Sequence, residues 1–225
     1  MATIGSNPAA AGPSVLPQLA FAVTDAEPLA HAAAPTLRFA LRIECADGRA
    51  IRSILLDTQI QIAARRRRYE PGEQERLFEL FGPPAGWGTA LRTLLWARTT
   101  LVVPPFTGST EVDVPVACSY DLEVAASRYL DALDGGEVPL EFLFSGSVFY
   151  AGAGGALQTA RLSWNHEAGY RLPVSVWKQT LERYFRGTAW LRLRKDSFDR
   201  LAAYKSRHAL ATWEDALARL LGDAP

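Results

Sequence analysis

Four consecutive arginines, Arg65 to Arg68, stand out among the residues able to do chemistry. Guanidinium groups bind phosphates and carboxylates through paired donors, so such a run points to a nucleic acid, an acidic protein surface or internal ion pairs. Glu70, Glu73, Glu75 and Glu79 follow at once and repel phosphate. Tyr69 is the one aromatic beside the run, too few for stacking bases. Read as the end of a strand, the run also splits, with Arg65 and Arg67 on one face and Arg66 and Arg68 on the other. Nucleic acid is therefore the weakest of the three readings. A solvated edge, internal pairs with the glutamates, or a partner protein remain.

The other candidate chemistry is thin. Phe144-Ser145-Gly146-Ser147 resembles half a nucleophile elbow, but Gly-x-Ser-x-Gly is absent and the setting is strand-like. The glycine-rich stretch at 152–155 lacks the helix that cradles phosphate. His31, His166 and His208 lie far apart, and His166 falls in a turn-like "WNHEAGY". Asp131, Asp134 and Glu137 surround Gly135-Gly136, which reads as a polar turn because the spacing of a calcium-binding loop is missing. The two cysteines, Cys45 and Cys118, fall in step with apolar neighbours and read as small buried hydrophobes. No catalytic residue, cofactor or metal site is expected. Trp87 in "FGPPAGWG", Phe106 in "VPPFTGST" and Trp177 in "YRLPVSVWKQTLERYF" have the Pro/Gly surroundings of interface anchors, with core packing the competing reading. Together with Arg65, Arg66, Arg67 and Arg68 they form the candidate partner-binding set.

Composition is neutral in both senses. Of 225 residues, 24 are Lys or Arg and 24 are Asp or Glu, so no global field favours polyanions. No apolar run is long enough to cross a membrane. The N-terminal "MATIGSNPAAAGPSV" has neither the basic nor the apolar part of a signal peptide, and a cytoplasmic protein is expected.

The elements that must position these residues follow from periodicity. Residues 1–16 read as a disordered tail. Leu19, Phe21 and Val23, then Leu37 to Cys45, alternate with polar residues, as half-buried strands do. "ADG" at 46–48 turns into a third strand through Ile54, Leu56, Ile60 and Ile62. "PGEQERLFELFG" changes to helical period, with Pro71 at its start and Gly82 past its end. "LRTLLWARTTLVV", the alternation from Val112 to Tyr120, "PLEFLFSGSVFYAG" and "ALQTARLSW" read as further strands, and "LEVAASRYLDALDGG" as a short helix. From Pro173 the period is helical, with Val174, Trp177, Leu181 and Tyr184 on one face. Asp196 or Ser197 is expected to cap a second helix and Thr212 with Asp215 a third.

The expected class is α+β, mainly β. It comprises an antiparallel β-sandwich over 17–172 with short inserted helices, and a helical segment over 173–225 packed on the sandwich. The segment's aromatics, Trp177, Tyr184, Phe185, Trp190, Phe198 and Trp213, demand a packing partner.

Several stretches, among them "AAPTLRFALRIE", "ARRRRYEPGEQERLFELFG", "LWARTTLVVPPFTGSTEVDVPVACSYDLEVAASRYLDALDGGEVPLEFLFSGSVFY", "YRLPVSVWKQTLERYF" and "ALATWEDALARLL", are similar in order to an uncharacterised, mainly actinobacterial family. That family occurs in gene clusters of high-affinity uptake [NiFe]-hydrogenases. The resemblance spans residues 18 to 221 and carries over no site residue. It implies a cytoplasmic, non-catalytic accessory protein that contacts a hydrogenase subunit or maturation factor. The chain lacks the paired Cys-x-x-Cys motifs of a catalytic subunit and the clustered His and Cys of a metal donor. The alternative is an enzyme or small-ligand protein whose site gathers the arginines, His166 and the acidic turn at 131–137. A homodimer is the symmetry default for such a chain.

Overall fold

In a computed structural model, residues 16–118, 124–188 and 192–222 are described. The expected tail up to residue 15, Tyr120 and Trp190 lie outside them. Seven strands form two antiparallel sheets. β1 (Leu19–Pro28), β2 (Thr36–Cys45) and β5 (Ser109–Ala117) make one, in the order β1-β2-β5. β3 (Ile51–Ile62), β4 (Leu94–Val103), β6 (Glu137–Ala151) and β7 (Leu157–Pro173) make the other, in the order β4-β3-β6-β7. The α+β, mainly β class is as the alternation required.

The inward residues of the two sheets meet. Phe39 of β2 lies edge-on to Phe142 of β6 at 5.2 Å, and Phe21 of β1 stacks on Phe144 at 4.6 Å. Leu37, Leu41, Ile43, Ile54, Leu56 and Ile60 complete this layer with no exposed surface. Each such side chain removed from water contributes about 1.5–3 kcal/mol. Cys45 and Cys118 are buried free thiols, and burial raises them to about 11 and about 12 respectively.

The helices are α1 (Pro71–Arg76), α2 (Phe78–Phe81), α3 (Trp87–Ala90), α4 (Ala125–Asp131), α5 (Val174–Phe185), α6 (Lys195–Arg207) and α7 (Trp213–Gly222). The chain divides into two compact units, residues 1–188 and 189–225. This moves the boundary anticipated at 173. Helix α5 belongs to the first unit, because Val174, Trp177 and Leu181 are buried in the sandwich core and Tyr184 donates to the carbonyl of Ala32 at 2.8 Å. In the second unit, Thr212 and Asp215 form the expected reciprocal cap, each accepting from the other's backbone N–H at 3.0 Å. Neither Asp196 nor Ser197 caps α6. The residue before that helix is Arg194, which offers no side-chain acceptor.

Two local readings are corrected. The helix expected over 71–81 breaks at Leu77 into two short turns, which lets Leu77 sink fully into the core. "WNHEAGY" is strand, not turn. Residues 163–165 bulge opposite Ser145, and β7 resumes with His166 paired to Phe144. His166 is half-buried beside the ring of Phe21, 5.3 Å away, and burial lowers its pKa.

Candidate functional site

The arginine run sits where β3 gives way to the inserted helices. Ala63 is held by the carbonyl of Pro139 at 2.9 Å, and Ala64 is buried, so the chain leaves the sheet directly into a single 3-10 turn over Ala64–Arg66. The run is therefore not a strand end, and the anticipated division of its side chains between two faces does not hold. Arg65 and Arg66 lie on the turn, and the backbone is extended again at Arg67.

Arg67 points inward. Its side chain is 9% exposed and its ion-pair partner Glu73 is 2% exposed, at 2.6 Å. One Arg67 amino group also donates to the carbonyl of Glu137 at 2.8 Å, and the other to that of Gly135 at 2.8 Å. Glu73 Oε1 takes a further backbone N–H, from Asp134 at 2.9 Å, and Oε2 that of Glu70 at 3.2 Å. A buried pair persists only when its remaining donors and acceptors are met like this. Of the polar side-chain atoms of this pair, Arg67 Nε is buried without a partner. The acidic turn must pass close to the guanidinium. Gly136 has φ of +71°, and a Cβ there would lie 3.4 Å from Arg67. The left-handed backbone favours glycine at this position, and a Cβ would only touch the guanidinium.

Around this pair the charges are matched in short range. Arg66 bonds Glu141 at 2.6 Å, and Arg76 bonds Asp134 at 2.6 Å and the carbonyl of Ala132 at 2.9 Å. Hydrogen bonding to Arg76 lowers the Asp134 pKa. Arg171 stands 3.7 Å from Glu137. Arg65 and Arg68 are exposed and have no carboxylate partner among the described residues. The result is a cleft of about 600 Å³ that Arg66, Arg67, Arg68 and Arg171 line together with Glu70, Glu73, Asp134 and Glu137.

An aromatic cluster adjoins the buried pair through Tyr69, whose ring centre is 5.7 Å from the Arg67 guanidinium. Tyr69 donates to the carbonyl of Ala64 at 2.6 Å and shares a 2.8 Å hydrogen bond with Tyr129. Burial raises the pKa of both phenols. Trp87 crosses Tyr69 edge-on at 5.2 Å, and its indole N–H reaches the carbonyl of Gly82 at 2.8 Å.

Trp87, at 6% exposure, is therefore core and not a surface anchor. Phe106, at 9%, is locked by reciprocal backbone bonds with Ile51, and Trp177, at 2%, is on the buried face of α5. These three burials restrict the candidate contact set to the arginines. The structure brings the arginines and the turn at Asp134–Glu137 together, but His166 does not line the cleft. Gly135 and Glu137 carbonyls are already occupied by Arg67, and among the described residues no three His, Cys, Asp or Glu group as around a metal ion. What sequence reasoning left open is the pairing itself, in which Glu73 and Arg76 clasp α1 to the acidic turn. The capping-box spacing from Glu70 to Glu73 was the available signal.

The model of a family of unknown function, DUF6084, matches residues 16–225. The chain belongs to that family. No curated protein matches the sequence. Two β-glucosidases are similar in structure over 69% of the chain, at 16% identity and TM-score 0.25 for β-glucosidase 3B from Thermotoga neapolitana, and 9% and 0.24 for the Kluyveromyces marxianus enzyme. The chain spans 17% and 15% of those proteins. Likeness at this level carries no argument. Among the described residues of this family member, no helix is long and apolar enough to cross a membrane.

Proposed function

We propose that this member of the DUF6084 family is a non-catalytic accessory protein that works through protein–protein contacts, with the arginine-bearing end of the sandwich as its contact surface. The observation that carries the reading is the division of labour within the run. Arg66 and Arg67 are engaged by the chain's own carboxylates, whereas Arg65 and Arg68 are exposed with no carboxylate partner among the described residues. Exposed arginines without internal partners suit a carboxylate-bearing protein surface. The mixed signs of the adjoining cleft disfavour a phosphate backbone, which needs a continuous positive track. The sequence resemblance to proteins of uptake [NiFe]-hydrogenase gene clusters supports a hydrogenase subunit or maturation protein as the partner, in an assembly or maturation role. Tagged protein is expected to recover such a subunit from a native-host lysate, and Arg65→Glu/Arg68→Glu to lose it while thermal unfolding stays unchanged. Recovery of no hydrogenase component, or undiminished recovery by the double variant, refutes the proposal.

A cleft of this volume falls in the range of small-ligand sites, which supports a polar ligand as the second reading. Its lining charges already neutralise one another, which is why the reading stands second.

A further inference from the structure

We propose that the C-terminal helical hairpin is a self-association element, in which α6 and α7 pack on the same hairpin of a second copy of this chain to form a four-helix arrangement. The inference goes beyond the contact surface proposed above and does not depend on it.

The hairpin is well specified as local structure. Leu210 N–H returns to the carbonyl of Lys205 at 3.1 Å, and Ala209, with φ of +52°, reverses the chain before the Thr212–Asp215 cap opens α7. Phe198 meets Trp213 at 5.3 Å, and the Lys205 ammonium lies over the Trp213 ring at 5.5 Å.

What it lacks is an interior. Of the two helices only Ala216 is buried. Phe198, Trp213, Leu217 and Leu220 remain 39–42% exposed, and Leu221 76%. Trp213, Leu217 and Leu220 recur at i, i+4 and i+7, which is one continuous stripe along α7. Helices of 13 and 10 residues draw their stability from covering such a stripe, not from propensity.

Charge selects the occupant. Helix α6 carries Lys195, Arg200, Lys205 and Arg207 against Asp196 and Asp199; α7 carries Glu214 and Asp215 against Arg219. Arg200, Arg207 and Glu214 have no oppositely charged partner among the described residues. A two-fold axis along the hairpin places each α6 antiparallel beside the second copy's α7. Helices of opposite net charge then alternate around the bundle. Arg207, at the end of α6, meets the end at which the second copy's Glu214 opens α7. A closed, isologous contact of this kind uses each stripe once and leaves no apolar edge. An anionic lipid surface would also take the cations and the tryptophan, but it would repel Glu214 and Asp215.

The test is the mass of the full chain by light scattering across micromolar concentrations. A dimer is expected. Leu217→Glu/Leu220→Glu should convert it to monomer with the far-ultraviolet spectrum and the melting of the sandwich retained. Arg207→Glu should weaken the dimer by roughly tenfold, from two exposed pairs lost per dimer, and Arg207→Glu/Glu214→Arg should restore it. A chain that stays monomeric, a dimer that survives the leucine substitutions, or a monomer that sediments with phosphatidylserine vesicles through those leucines overturns the proposal.

Discussion

A carboxylate with 2% of its side chain exposed needs partners for its oxygens, and for Glu73 these are one guanidinium and two backbone N–H groups. Removing the carboxylate leaves Arg67 charged in a pocket it shares with Tyr69, whose ring centre is 5.7 Å from the cation. Glu73→Ala is expected to cost about 3–5 kcal/mol, and Arg67→Met a similar amount, because each strands a buried charge. The double variant Arg67→Met/Glu73→Leu should recover much of that loss, since no charge is then orphaned. Urea unfolding of the four proteins measures the coupling. Single variants that lose less than about 1 kcal/mol would mean that the pair behaves as a surface ion pair. Sequence alone showed that arginines and glutamates adjoined. It did not show which of the four arginines turns inward, since that depends on where β3 ends, and Pro139 on a distant strand fixes that end. The burial of Trp87, Phe106 and Trp177 was equally hidden, because neighbouring Pro and Gly residues set the local backbone path, not which side of it meets the core.

At the scale of elements, what was legible was periodic. Alternation gave the strands, the stripe Val174–Trp177–Leu181 gave α5, and Thr212 with Asp215 gave the start of α7. What was not legible was register. The bulge at residues 163–165 keeps β7 in the sheet beyond the point where its pattern falters, and nothing in "WNHEAGY" announces the partner across it. Gly146, paired with Leu162 beside this bulge, approaches β3 closely. Its φ is +138°, and a Cβ would stand 2.0 Å from the carbonyl oxygen of Leu55. Gly48, in the turn between β2 and β3, has φ of +68° and open space around it. Gly48→Ala should therefore cost only the left-handed strain, about 1–2 kcal/mol. Gly146→Ala adds displacement of backbone and should cost more than about 2 kcal/mol. Denaturant midpoints of the two variants separate the contributions. Equal midpoints would show that β3 and β6 yield at this crossing.

For the whole molecule, the buried hydrophobic cluster runs from Leu19 to Leu181, and among the described residues none of the second unit belongs to it. Both sheets, the arginine cleft, the aromatic cluster of Tyr69, Trp87 and Tyr129, and α5 therefore lie within residues 1–188. A chain of that size buries roughly 70% of its unfolded surface, enough for independent stability. A chain ending at Thr188 is thus expected to unfold in one cooperative transition, with a Tm within about 4 °C of the full chain, the shift that ~1 kcal/mol produces at this size. It should also be monomeric at every concentration at which the full chain dimerises. Calorimetry and light scattering on the two proteins decide both points together. A shortened chain that melts without a cooperative heat-absorption peak would show that the sandwich needs the hairpin in order to fold. One that still dimerises would place the self-association surface on the sheets.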